Sequence, residues 1–260
     1  MEVVIGPSEE LAVLAADAVQ GVLLTRPRPV LGVATGSSPL SVYAELARRH
    51  VDEGLSFAHA TAFLLDEYVG LPVDHPERYA TVIGRDLASK VDLPVSAVHS
   101  PDGLATDLPE ACRRYEEAIT AAGGVDLQLL GIGTDGHVAF NEPTSSLASR
   151  TRIKTLTEQT RRDNSRFFGD DLDAVPHHVL TQGLGTIMQA RHIVMLATGP
   201  TKAEAVRQMV EGPVSARWPA TVLQLHPHVS VLVDPDAGSA LELYDYYRQV
   251  RAGKPDWQGL

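Results

Sequence analysis

Short apolar, β-branched runs alternate along the chain with longer segments whose apolar residues recur every three or four positions. VVI at 3–5 predicts a first strand. SEELAVLAADAVQGVLL at 8–24 predicts a helix with Ser8 as its cap. VLGVAT at 30–35 predicts the next strand and PLSVYAELARRH at 39–50 the next helix. TAFLL at 61–65 reads as a strand running into a polar turn, DEYVGLP, and residues 96–100 as a further short strand. Pro109 opens a helix over 109–122, which Gly123 and Gly124 end. VDLQLL at 125–130 and HIVMLATG at 192–199 read as buried strands. RTRIKTL at 150–156 alternates charged and apolar residues as a half-exposed strand does. TKAEAVRQMVEG at 201–212 predicts a helix, VSVLVD at 229–234 the last strand and LELYDYYRQVRAG at 241–253 the last helix.

Strands that alternate with helices predict an α/β fold in which a mostly parallel central sheet is covered on both faces, a three-layer sandwich. No internal repeat, low-complexity tract or linker interrupts the pattern, so one domain is expected over 1–260. The 260 residues are 44% apolar, enough for its core. In such sheets ligands bind beyond the carboxyl ends of the strands. Four strands here end in polar turns, ATGSSP, LLDEYVG, GIGTDGH and ATGPTK, which should converge on one edge.

Charge narrows the partners. With a formal charge of −11, the surface repels phosphate backbones and anionic lipid, so neither nucleic acid nor membrane is expected. An anionic ligand would need a local cationic pocket. The single cysteine, Cys112, permits no internal disulfide and reads as a buried helix position. The first residues lack a basic stretch followed by an apolar one, and no apolar run reaches transmembrane length; a cytoplasmic protein is expected.

The stretch GIGTDGHVAFNEP at 131–143 satisfies a dinucleotide glycine pattern but not its context. Asn141 and Pro143 stop any helix, and the next strand carries Arg152 and Lys154 where an acid should hold a ribose. What the loop supplies instead is Asp135, His137 and Glu142, two carboxylates around one imidazole, a set suited to proton transfer near neutral pH. Asp66, directly after the apolar FLL, is a carboxylate at the mouth of a buried strand, where desolvation raises its basicity; Glu67 alternates to the other side. Thr35, Gly36, Ser37 and Ser38 form an anion-binding turn ahead of a helix, with Arg166 and Lys202 as candidate cations for a phosphate. His177 and His178, and the HPH at 226–228, lack companion cysteines or a matching carboxylate spacing, so no metal is expected.

Together, LGVATGSSPLSVYAEL, LDEYVGLPVDHPERY, GIGTDGHVAFNEPTSSLASRTRIKTLT, TRRDNSRFF, LTQGLGTIMQARHI and VLQLHP resemble the glucosamine-6-phosphate deaminase family, in its order and over about residues 30–234. The resemblance implies a Rossmann-like sandwich without a dinucleotide. It also implies conversion of glucosamine 6-phosphate and water into fructose 6-phosphate and ammonia in amino-sugar catabolism, C–N bond hydrolysis joined to isomerisation, with no cofactor. On that resemblance His137 opens the sugar ring, Asp135 and Glu142 flank and tune it, and Asp66 takes the C2 proton and returns one at C1. The turn 35–38, Arg166 and Lys202 hold the phosphate. The family further implies a homo-oligomer, in many members a hexamer, and an effector, N-acetylglucosamine 6-phosphate, on Ser145, Arg152, Lys154 and Thr155, with Tyr244, Tyr246 and Tyr247 as candidate aromatic partners. The rivals are a 6-phosphogluconolactonase, which has no need of a base at C2, and a phosphosugar-sensing domain, which has no need of the full acid–base set.

Overall fold

The computed structural model describes residues 1–255 and 257–260. In chain order its elements are β1 (Glu2–Ile5), α1 (Ser8–Thr25), β2 (Val30–Val33), α2 (Leu40–Glu53), β3 (Thr61–Leu64), β4 (Asp66–Tyr68), α3 (Tyr79–Asp86), β5 (Val98–His99), α4 (Leu108–Ala121) and β6 (Leu127–Leu130). They continue with β7 (Arg152–Thr155), α5 (Glu158–Ser165), β8 (His178–Thr181), α6 (Leu184–Ile187), β9 (His192–Ala197), α7 (Ala203–Glu211), β10 (Val229–Val233) and α8 (Tyr244–Ala252).

Seven strands form one sheet in the order β1-β10-β9-β6-β2-β3-β5, and every pairing in it is parallel. Alternation sends side chains to two cores. Leu31, Val33, Leu127, Leu129, Val194, Leu196 and Leu232 face α1 and α2; Val30, Leu130, Ile193, Met195, Val231 and Val233 face α4, α6 and α7. Strands buried on both faces read as continuous apolar runs, which is why these were legible. Each fully buried Leu, Ile or Val contributes about 1.5–3 kcal/mol. Cys112 is buried on α4, as its spacing predicts.

The second sheet was not foreseen. β4, β8 and β7 make an antiparallel three-stranded ribbon at the carboxyl edge of the large sheet. DEYVGLP is thus not simply a turn: the chain leaves β3 at Leu64, bends at Leu65 and re-enters a strand at Asp66. Two smaller readings also change. Ser8 is the first helical residue of α1 rather than its cap, because Pro7 holds the cap position with no side-chain bond. In β7 the charged residues Arg152 and Lys154 take the half-buried face, while Ile153 and Thr155 are exposed.

Candidate active site

The four polar turns do converge. They line a cavity of about 660 Å³ at the carboxyl edge, bounded by Thr35–Ser38, Asp66, Gly131–Thr134 with His137, and Thr198–Lys202. Asn164, in the last turn of α5, and Arg166 just after it close one side.

Asp66 is the first residue of β4 and pairs in register with Thr181 of β8. It is 6% exposed and faces the cavity. Burial pushes its carboxyl well above the ordinary aspartate value, and the Glu67 charge adds to the rise. Glu67 points the other way and is fully buried. It accepts the N–H groups of Tyr68 (2.9 Å), Tyr79 (3.0 Å) and Ala80 (3.0 Å) and the Ser100 hydroxyl (3.1 Å), with Arg78 at 3.6 Å. It therefore caps α3 from another element, a job no side chain at the α3 cap position performs. Even so, burial outweighs these bonds and raises its carboxyl too.

His137 owes its position to Gly133. A Cβ on Gly133 would stand 2.2 Å from the imidazole, so the glycine is the floor on which the ring lies. Gly133 N–H donates to the His137 carbonyl at 2.9 Å and Gly136 N–H to the Gly133 carbonyl at 3.0 Å, which curls the loop under the ring. His137 Nδ1 lies 2.7 Å from Asp135 Oδ1, a close approach that falls short of a well-aligned hydrogen bond. The same oxygen accepts the His137 backbone N–H at 3.1 Å. Burial pushes Asp135 up, but the His137 ring and backbone outweigh it and hold the carboxyl below its ordinary value.

Glu142 is held toward the start of α5. The chain reverses at Ala139, with φ +52, and Thr144, with φ +74. The buried Glu142 carboxylate is taken up by the Thr160 hydroxyl and, at 3.4 Å, that of Thr157, at the start of α5. It makes no hydrogen bond to His137 among the described residues and does not line the cavity.

On the same cavity wall, the N–H groups of Gly36, Ser37 and Ser38 find no acceptor among the described residues, just before α2. Lys202 and Arg166 face the same space. Burial, then the nearby Arg166 charge, lowers the Lys202 ammonium, with Asp135 and Asp163 offsetting part of the fall. Neither cation has a carboxylate within ion-pair distance among the described residues, and Arg166 rests on the Phe167 ring, 4.7 Å from its centre. Asp234, at the end of β10, fixes the Lys202 turn by accepting the Gly199 N–H at 2.9 Å.

Of the candidate effector residues, Ser145 is buried, with no partner for its hydroxyl among the described residues. Arg152 donates to Asn141 Oδ1 at 2.8 Å, and Lys154 is half-buried on the same face. Burial lowers the Arg152 guanidinium from its ordinary value. Thr155 is exposed on the other face. Sequence reasoning missed the aromatic wall: Tyr79 stacks on Phe140, and Tyr68 accepts from Asn164 Nδ2 at 3.0 Å. No group of three or more His, Cys, Asp or Glu among the described residues stands together for a metal ion.

A doubly covered parallel sheet, with an anion-binding turn and an acid–base group on one cavity, defines an α/β protein equipped for proton transfer on an anionic ligand. The family model for glucosamine-6-phosphate isomerases/6-phosphogluconolactonase matches residues 7–232, and the chain belongs to that family. It is 68% identical to a glucosamine-6-phosphate deaminase of Beutenbergia cavernae and 62% to one of Mycolicibacterium smegmatis, each over the full length of both chains. A solved structure described as a monomeric glucosamine-6-phosphate deaminase superposes with TM-score 0.90 at 43% identity, covering 92% of this chain and 100% of that one. A 6-phosphogluconolactonase from Leishmania guyanensis, 23% identical, shares the fold with TM-score 0.72 over 91% of this chain and 97% of its own.

Proposed function

We propose that the chain converts glucosamine 6-phosphate and water into fructose 6-phosphate and ammonia. The observation that carries this reading is Asp66, a buried carboxylate with raised basicity on the same cavity as His137 and the phosphate-type turn. The full-length relatives named above support it. The phosphate sits on the 35–38 turn with Arg166 and Lys202, where free N–H groups and unpaired cations meet. Asp135 favours a proton on His137 Nδ1 and leaves Nε2 to move the proton that opens the pyranose. Asp66 then removes the C2 proton, giving an enolamine, and returns a proton at C1. Water adds to the resulting C2 imine and ammonia leaves. Glu142, anchored to α5 through Thr157 and Thr160, flanks and tunes His137 from the same loop. A lactonase would need no base at C2, so Asp66 favours the deaminase.

The test is ammonia release from glucosamine 6-phosphate together with exchange of the substrate's C2 hydrogen in deuterated water. Both are expected; a folded protein that does neither refutes the reading.

The same proposal keeps N-acetylglucosamine 6-phosphate as an effector on Ser145, Arg152, Lys154 and Thr155, supported by the Ser145 hydroxyl, which has no partner among the described residues. Assembly into a homo-oligomer and a cytoplasmic location belong to it through the family resemblance. Among the described residues no helix is long and apolar enough to cross a membrane. Light scattering and initial-rate curves with and without the effector decide this part: one chain per particle and unaffected kinetics would remove it.

A further inference from the structure

We infer that Gln182 is a positioning residue that sets the Asp66 carboxylate and the His137 loop in fixed relation to one another; the inference rests on the deamination reading above. Gln182 follows β8 and is 1% exposed. Its backbone N–H donates to the Leu65 carbonyl at 2.7 Å and its side-chain Nε2 to the Leu64 carbonyl at 2.9 Å. Leu64 and Leu65 are the bend through which the chain passes from the large sheet to the small one, and Asp66 is the next residue. One residue thus holds that bend by two bonds. Its own carbonyl accepts Asn141 Nδ2 at 2.8 Å. Asn141 is fully buried in the His137 loop, donates also to the Val138 carbonyl at 3.0 Å and accepts Arg152 at 2.8 Å.

The arrangement leaves Gln182 little freedom. A Cβ on the following residue, Gly183, would lie 2.1 Å from the Ser149 carbonyl oxygen, so the backbone there is wedged against residues 149–150. The Tyr115 hydroxyl also donates to the Leu64 carbonyl, at 2.5 Å. Leu64 O is therefore a buried acceptor shared by two side chains, and removing the amide leaves it to Tyr115 alone, with only the backbone bond to Leu65 still tying the bend to residue 182. The base and the imidazole come from separate turns of the sheet edge. Proton transfer at C2 after ring opening requires both to meet one substrate, and a shift of about 1 Å in such a geometry costs up to about 100-fold in rate. Gln182 touches neither reacting group; it acts through the backbone that carries them.

Two variants test this, with wild type as reference. Gln182→Met keeps length and loses the donor. Ammonia release and C2 exchange are expected to fall together, kcat by about 10–100-fold, while KM stays within about twofold because the phosphate turn is untouched. Gln182→Glu adds a readout that a purely structural role would not move. Its buried carboxyl can donate to the Leu64 carbonyl only when protonated, so its kcat relative to wild type should rise as pH falls from about 8 to about 6. That ratio remains readable if the methionine variant fails to fold. A folded Gln182→Met with kcat within about twofold of wild type, or a flat Gln182→Glu ratio, overturns the inference. A wild-type chain that releases no ammonia overturns the proposed function itself and this inference with it.

Discussion

The two edges of the central sheet each carry a cavity of comparable size, and only one of them holds the chemistry. At the amino edge a cavity of about 760 Å³ is bordered by Arg26, Arg191, Arg251 and Lys254. Its charges are spoken for. Arg26 and Arg191 meet Asp126 at 3.3 and 3.2 Å, and Lys254 and Arg251 meet Glu2. His192 and His228 stack with ring centres 3.7 Å apart, and burial, then the His228 charge, pushes His192 down to about 4. At the carboxyl edge the cavity is about 660 Å³, and there Asp66 carries a raised carboxyl and Lys202 and Arg166 lack carboxylate partners among the described residues. Volume does not separate the two edges; unsatisfied polar groups do. Such groups cost stability and persist where a ligand is to satisfy them.

The sharpest way to break this contrast is Asp66→Asn. If Asp66 is the base, kcat should fall by about 100–10,000-fold with phosphosugar binding retained, measured by ammonia release and by direct titration. Stability should move the other way. A carboxyl whose folded value is raised stabilises the fold fully only below its unfolded value and loses that contribution as pH rises through the folded value. At neutral and higher pH the variant should therefore melt above wild type. Wild-type activity has the opposite dependence: it should decline as pH falls through the raised Asp66 value, because the base must be ionised. An equally active variant would remove Asp66 from the mechanism.

Lys202→Met probes another part of the same cavity with a smaller effect. Losing one charge-assisted bond to phosphate should raise KM by about 10–100-fold, with kcat changed much less. Free glucosamine, lacking the phosphate, should bind wild type and variant alike. Equal loss for both ligands would show that Lys202 shapes the cavity instead of holding an anion.

How much of this was legible beforehand follows from where the signal resides. The buried parallel strands announce themselves in runs such as HIVMLA, and the four turns that end them locate the cavity. Of the small sheet only β7 was legible, in RTRIKTL; β4 was silent because it is three residues long and reads DEY. α5 was silent because EQTRRDNS buries only Thr160 and Arg161, leaving no apolar period. Within the site, residue types marked Asp66 and His137, whose chemistry is local. What holds Glu67, Glu142 and Gln182 was not visible because their partners lie 12 or more residues away: Tyr79 and Ala80 for Glu67, Thr157 and Thr160 for Glu142, Leu64 for Gln182. A carboxylate that caps a distant helix looks, in sequence, like one that waits for a substrate.

The smallest effect is expected at the amino edge, and it completes the comparison. Arg191 is half exposed, and Asp126 keeps Arg26 and the Val30 N–H, which it accepts at 2.9 Å, when Arg191 is cut back to alanine. Arg191→Ala should cost less than about 1 kcal/mol in chemical denaturation and leave kcat/KM unchanged. Removing Arg26 as well takes both cations from a carboxylate that is only 7% exposed, so the double variant should lose more than the sum of the singles. An Arg191→Ala chain that folds normally but loses turnover would mean that the amino-edge ion pairs act on the distant cavity, and that paired charge is no guide to which edge works.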